Sequence, residues 1–295
     1  MQRLGKPRIL IVGCGDVGMR LLAQLTPSYK VFALTSSLEK MPILRKAGAI
    51  PILGNLDKSE TLWRLPQLAS HVIHLAPPQG HGVMDSRTQH LLAILAQRAS
   101  FIRQLIYIST TGVYGDRGGA IIDETFTPNP QTSRAQRRVS AEAQIRAWGI
   151  AMGIRTHILR VPGIYAGDRL PVDRIARGTP ALIDSDDVYT NHIHADDLAN
   201  LIKACLYRAK PQRITNACDD SSLKMGDYFD LVANAYGLKK SPRLSRLDLA
   251  QQVDPMLLSF MSESRRIKNR RLNELRFRLT YPTVEDFLRT ISSRL

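Results

Sequence analysis

Long apolar runs are missing from this 295-residue chain. None approaches the ~18 residues that a membrane-crossing helix needs. Met1-Gln2-Arg3 is followed by too few apolar residues for a secretory leader. Cysteine is scarce: Cys14, Cys205 and Cys218 make neither a metal-ligand spacing nor a disulfide framework. These absences predict a soluble, cytoplasmic protein with no metal site. Aromatic residues make up only 6% of the chain. They do not interleave the basic clusters at Arg134, Arg137 and Arg138 or at Arg265, Arg266, Lys268, Arg270 and Arg271, so no stacking platform for bases is evident. Acidic residues are also short, 26 against 41 Lys and Arg, for a net charge of +15. Net charge alone bears on non-specific association. A solvated basic face with a few phosphate ligands is therefore favoured over nucleic-acid binding. Internal repeats and low-complexity linkers are absent.

What is present begins at residue 8. Ile9 to Val12 form an apolar run that reads as a buried strand, and Gly13-Cys14-Gly15-Asp16-Val17-Gly18 follows at once in a GxGxxG pattern. Val17, Leu21, Leu22 and Leu25 then recur on one helical face. Strand, glycine turn and helix in succession are the context in which this pattern binds a dinucleotide. Gly13 permits the tight turn, Gly15 lets the backbone approach a pyrophosphate, and Gly18 lets helix and strand pack. The helix N-terminus offers N–H groups and partial positive charge to the phosphates.

Further strands are expected at Val31–Leu34, Ile50–Leu53, Val72–Ala76, Leu105–Ser109 and Thr156–Val161. Helices are expected over about Asp85–Ala99, Gln136–Met152, Ala195–Ala209 and Lys224–Tyr236, with a short one after Tyr281-Pro282. Alternating strands and helices predict an α/β fold, a Rossmann-type doubly wound parallel sheet. Past residue 162 the pattern loosens, with Pro162, Gly163, Gly167, Pro171, Gly178 and Pro180 marking loops. Residues 1–162 are assigned to a dinucleotide-binding domain, and 163–295 mainly to a smaller C-terminal substrate lobe interleaved with it.

An NAD-binding strand of this kind ends in an acid that grips the ribose 2′-hydroxyl. Here it ends Ala33-Leu34-Thr35-Ser36-Ser37, and Glu39 lies five residues past Leu34. Thr35 and Ser36 leave room for a 2′-phosphate, with Lys40 or Arg45 as its cation. The missing acid favours NADP over NAD. Ala76, Pro77 and Pro78 close the fourth strand, where the cofactor's ribose and diphosphate are expected to pass, and Asp57, after Gly54-Asn55-Leu56, reads either as a turn residue or as part of a loop that resembles the adenine-touching loop of dinucleotide-binding proteins. His192 and His194 read as hydrogen-bonded structural residues, not metal ligands.

The ordered set of motifs resembles the extended and atypical short-chain dehydrogenase/reductases, in particular the NAD-dependent epimerase/dehydratase family. Tyr107-Ile108-Ser109-Thr110-Thr111-Gly112-Val113-Tyr114-Gly115-Asp116 resembles that family's fifth-strand signature. Leu159-Arg160-Val161-Pro162-Gly163-Ile164-Tyr165 and Asn191-His192-Ile193-His194-Ala195-Asp196-Asp197-Leu198-Ala199 resemble two later segments. The tail from Ser264 to Pro282 is similar to the YeeZ-like subgroup.

The resemblance implies a Ser or Thr that holds the substrate oxygen, a Tyr that moves a proton there, and a Lys that lowers the Tyr pKa. A phenol near pKa 10 is otherwise a poor base at neutral pH. Thr110 takes the Ser/Thr place. Counting back from Ala141-Glu142, the Lys place holds Arg138 and the Tyr place holds Arg134. A guanidinium stays protonated and cannot act as the acid/base. Three readings follow. Tyr114, or less well Tyr165, supplies the proton. Alternatively, the chain binds the dinucleotide without turnover, as a regulator or sensor. In the third, Arg134 grips an anionic substrate with its two-pronged fork. An NAD(P)-dependent oxidoreductase or epimerase/dehydratase-like enzyme acting on a small molecule leads these readings. The resemblance also implies a homodimer built on the helices after the fourth and fifth strands.

Overall fold

The computed structural model describes residues 5–253, 258 and 261–292; Met1-Gln2-Arg3 lies outside them. Seven strands form one parallel sheet: β1 (Arg8–Val12), β2 (Lys30–Thr35), β3 (Ile50–Leu53), β4 (His71–His74), β5 (Gln104–Thr110), β6 (Arg155–Val161) and β7 (Arg213–Asn216). Their order is β3-β2-β1-β4-β5-β6-β7. Ile9 to Val12 are all buried, as a strand covered on both faces requires. The order reverses between β1 and β4, and a crevice opens outside the carboxyl ends of the strands at such a point.

Two apolar cores flank the sheet. On one face lie α1 (Asp16–Leu25), α2 (Lys40–Lys46) and α6 (Ala195–Arg208). There Leu21, Leu22 and Leu25 of α1 pack with Leu198, Leu201, Ile202 and Cys205 of α6, joined by Leu272 and Leu275 from the tail. Each buried leucine contributes roughly 1.5–3 kcal/mol. On the other face lie α3 (Ser86–Ala96) and α4 (Ser133–Ala151), with Leu91, Leu92 and Leu95 against Ala141, Ile145 and Trp148. A third core gathers α5 (Val172–Ala176), α7 (Met225–Ala235), α8 (Arg246–Ala250) and α9 (Val284–Ser292) around Tyr165, Phe229, Val232 and Phe287.

The expected strands and helices are present within a few residues of their assigned ends. β7 is the exception: Arg213-Ile214-Thr215-Asn216 lies in the loosened stretch past residue 162, where the sequence predicts no strand. It pairs along β6, with Ile214 beside Ile158. So the chain leaves the sheet after β6 and returns to it twice, with α6 on one face and β7 at the edge. Among the described residues no helix is long and apolar enough to cross a membrane.

Candidate dinucleotide and substrate site

A cavity of about 310 Å³ opens at the carboxyl ends of β1 to β4. Val12, Gly13, Cys14 and Gly15 line it, with Leu34, Thr35, Ser36 and Lys40 from the end of β2 onward. The loops after β3 and β4 add Asn55, Leu56, Ala76 and Pro77, and α3 adds Arg87.

The three glycines do separate things. Gly13 has φ +85°, and a Cβ there would sit 2.7 Å from the Ala76 backbone. Gly15 is exposed, and nothing stands within 4 Å of an added Cβ; that open space leaves room for a phosphate beside the backbone. At Gly18 a Cβ would meet Cys14 Sγ at 2.9 Å and Leu75 Cδ1 at 3.3 Å, against the end of β4. Gly15 caps α1 with no side-chain bond to its first N–H groups, so they remain available to an anion. This cradle fits the pyrophosphate of a dinucleotide.

Asp16 and Val17 follow in the first turn of α1. Val17 packs on the core. The Asp16 side chain is tied to Arg20 Nε at 3.1 Å and Arg169 Nη1 at 2.9 Å. Partial burial opposes its ionisation, but the bonds from Arg169 and Arg20 hold the carboxyl below its usual range. Asp16 therefore contributes its backbone position to the cradle, while its charge is matched by two guanidinium groups.

At the end of β2, Thr35, Ser36 and Lys40 line the cavity together, with no carboxylate on its wall. Lys40 makes no ion pair among the described residues; Arg45 does not reach the cavity. Asp57 does not line it either. Its carboxylate is gripped by Arg87, Nε to Oδ1 at 2.7 Å and Nη2 to Oδ2 at 2.6 Å, which holds it below the usual carboxylate range. Asn55 and Leu56 occupy the wall where Asp57 was expected. Arg87, thirty residues away in sequence, was missed because nothing local marks the pair.

The catalytic candidates gather where α4 meets the carboxyl end of β5. Thr132 caps α4 by accepting from Ala135 N at 3.2 Å, which sets Arg134 and Arg138 in its first two turns. Arg138 Nη1 donates to Ile108 O at 2.8 Å and to Tyr107 Oη at 2.9 Å. Thr110 ends β5 and accepts from Gly112 N at 3.2 Å. Burial lowers the Arg134 pKa, Glu263 opposes that shift, and the neighbouring Arg138 and Arg137 add to it. Two guanidinium groups thus stand close together at the places of the resembled Tyr and Lys.

Tyr114, read above as a candidate proton donor to substrate, does not face an open cleft. It is fully buried, and its hydroxyl donates to Asn216 Oδ1 at 2.8 Å. The Arg160 guanidinium lies 4.6 Å from its ring centre. Burial raises its pKa despite Arg160. Tyr165 is buried as well, its hydroxyl 3.4 Å from Thr283 O, and burial raises its pKa too. Tyr107, under Arg138, is pushed up to about 12 by burial. None of the three is a primed base. His192 and His194 lie side by side with Tyr165, Tyr228, Tyr281 and Phe287, and His194 Nδ1 caps α6 by accepting from Asp196 N at 3.2 Å. Among the described residues no group of three or more His, Cys, Asp or Glu could hold a metal ion.

Comparisons agree with this architecture. The protein YeeZ of Escherichia coli K12 is 27% identical over 252 residues, 82% of this chain and 88% of that protein. A conserved protein of unknown function from Silicibacter pomeroyi superposes with a TM-score of 0.83 at 29% identity, covering 98% of this chain and 99% of that one. The UDP-glucose 4-epimerase of Thermotoga maritima, solved with UDP-glucose, shares the fold with a TM-score of 0.78 at 17% identity, covering 97% of each chain. The sequence profile of the NAD dependent epimerase/dehydratase family matches residues 9–218. That span runs from the first strand through the glycine turn and the whole sheet, and the chain belongs to that family, with a nicotinamide dinucleotide as its cofactor class.

Proposed function

We propose that this chain is an NADP-dependent enzyme of the epimerase/dehydratase type acting on a small anionic substrate. The observation that carries the reading is the wall at the end of β2: Thr35, Ser36 and Lys40, with no carboxylate. An acid there would bind a 2′-hydroxyl and repel a 2′-phosphate, whereas a lysine and two hydroxyls suit the phosphate. Gly13, Gly15, Gly18 and the α1 N-terminus hold the pyrophosphate, and Ala76 and Pro77 border the chain of the cofactor. The dinucleotide supplies hydride chemistry when bound. Arg138 keeps a positive charge beside β5, Thr110 offers a hydroxyl to the substrate oxygen, and Arg134 binds a carboxylate or phosphate through two parallel bonds. Residues 163–295 supply the substrate lobe, interleaved with the first 162.

A second reading, a dinucleotide-binding regulator without turnover, is favoured by one observation. Tyr107 and Tyr114 are buried with their hydroxyls engaged, and the Tyr place holds Arg134.

Fluorescence titration with NADPH and NADH tests the cofactor. NADPH should bind more tightly, and Lys40→Ala should reduce the preference by roughly tenfold, about 1.4 kcal/mol. Equal affinities in the parent chain overturn the NADP assignment. Incubating the protein with NADP+ and small hydroxy compounds bearing a carboxylate or phosphate, deuterated at the carbinol carbon, separates the two readings. Deuterium appearing on the cofactor, or an epimerised or dehydrated product, supports the enzyme, and the absence of both across the panel supports the regulator.

A further inference from the structure

Arg87 ties together two loops that border the cavity and come from different strands. Its Nε and Nη2 hold both oxygens of Asp57, past β3, and its Nη1 donates to Pro77 O at 3.2 Å and Pro78 O at 3.5 Å, past β4. All three nitrogens are therefore engaged. Guanidinium N–H groups lie in the plane of the group, so these bonds use its edges and leave its flat face. Arg87 lines the cavity, and its hydrogen-bonding edges are already taken.

The cavity has three parts with different chemistry. The glycine turn takes phosphate. The end of β2 takes the ribose 2′ position. What remains lies between Asn55-Leu56 and Ala76-Pro77 beside Arg87, which is the place left for the base. A guanidinium held flat attracts the π-face of an aromatic ring and stacks on it.

We propose that Arg87 is an adenine-stacking residue and that Asp57 is its positioning residue, acting on the cofactor only through Arg87. This inference rests on the dinucleotide reading of the cavity. It reassigns Asp57 from a direct adenine contact to a clamp. It also accounts for an arginine whose hydrogen-bonding edges face protein while its side chain borders an open cavity.

The test measures dissociation constants for the tighter of NADPH and NADH, and for the matching adenylate fragment, 2′,5′-ADP or 5′-AMP, by competition. Arg87→Ala should weaken both by the same factor, roughly ten- to a hundredfold, since base stacking is worth ~1–3 kcal/mol. Arg87→Lys keeps the charge and loses the plane, so it should behave like Arg87→Ala. Asp57→Asn should weaken binding less, and adding it to Arg87→Ala should cause no further loss. Thermal unfolding without ligand separates a folding defect from a binding one. Wild-type affinity in Arg87→Lys overturns stacking in favour of charge alone. A loss for the dinucleotide that spares the adenylate fragment also overturns it, as does a lowered melting temperature with affinity intact. If the unaltered chain binds no dinucleotide, the cofactor reading fails and takes this inference with it. If it binds and Arg87→Ala binds equally well, only the inference fails.

Discussion

Gly13 and Gly15 are two positions apart and predict opposite outcomes. A side chain at Gly13 is forced into a positive φ and onto the Ala76 backbone at 2.7 Å. Gly13→Ala should therefore lose more than about 1 kcal/mol of stability, read as a lowered urea midpoint with or without ligand. At Gly15 an added Cβ meets open space, so Gly15→Asp should keep the parent's melting temperature and lose dinucleotide binding, because it sets a charge and a side chain against the pyrophosphate. A Gly15→Asp protein that binds normally would remove the cofactor from the glycine turn. The sequence shows both roles because the turn is local: strand, glycines and helix follow one another within a dozen residues. Asp57 and Tyr114 fared differently for the same reason in reverse. What each touches, Arg87 in one case and Asn216 in the other, is brought in from 30 and 102 positions away, and no spacing encodes it.

Between elements the arginines do work that net charge does not reveal. The basic clusters at 134–138 and 265–271 read as a solvated face, yet much of that charge clasps backbone carbonyls. Arg137 donates to Gly82 O at 2.6 Å, Arg265 to Gly115 O at 2.9 Å, Arg266 to Gly119 O at 2.8 Å and Arg271 to Ile214 O at 2.8 Å. The last three staple the tail to the loop after β5 and to β7. Deeper still, Arg160 of β6 grips Glu142 of α4 through Nε at 3.1 Å and Nη2 at 2.7 Å, and Ser109 of β5 donates to the same carboxylate at 2.6 Å. Both charged side chains are almost wholly buried. Removing one partner leaves the other buried and uncompensated, so Glu142→Ala should cost about 3–5 kcal/mol in urea unfolding. A loss below ~1 kcal/mol would mean that solvent reaches the pair. β7 escaped the sequence because four residues with one clear apolar position, Ile214, carry too little periodicity to separate a strand from a loop. Its strand character comes from β6 beside it.

The folded chain as a whole responds to pH through three buried imidazoles and one buried carboxyl. Burial holds the His74 imidazole down to about 3, and those of His157 and His192 to about 4. An unfolded histidine titrates near 6.5. Between about pH 4 and 6.5 the unfolded chain thus binds protons at these three rings that the folded chain does not, and stability falls as pH falls. Asp219 opposes this. Burial raises its carboxyl to about 7, against bonds from Ser221 and Tyr165, so between ~4 and 7 the folded chain keeps a proton that the unfolded chain has released, and stability falls as pH rises. Three imidazoles outweigh one carboxyl below pH 6.5. The urea midpoint should therefore drop on acidification from pH 6.5 to 4, and Asp219→Asn should make that drop steeper and raise stability above pH 7. Superimposable pH profiles for the two proteins would show that Asp219 ionises normally.

The double return of the chain to its first sheet has a consequence for synthesis. Until residue 216 has been made, β6 is a bare edge, and until α6 has been made, Leu21, Leu22 and Leu25 of α1 lack their cover. At ~5–20 residues per second, the stretch from 162 to 216 takes roughly 3–11 s to emerge. For that interval a nearly complete parallel sheet waits on the ribosome with one edge open and one flank of leucines uncovered. Exposed edges and apolar faces recruit other chains. The nascent protein is then at its stickiest after its cofactor cradle has been translated, and a ribosome stalled with residue 162 emerged but residues 195–216 not yet emerged should draw chaperones more strongly than one stalled earlier or later.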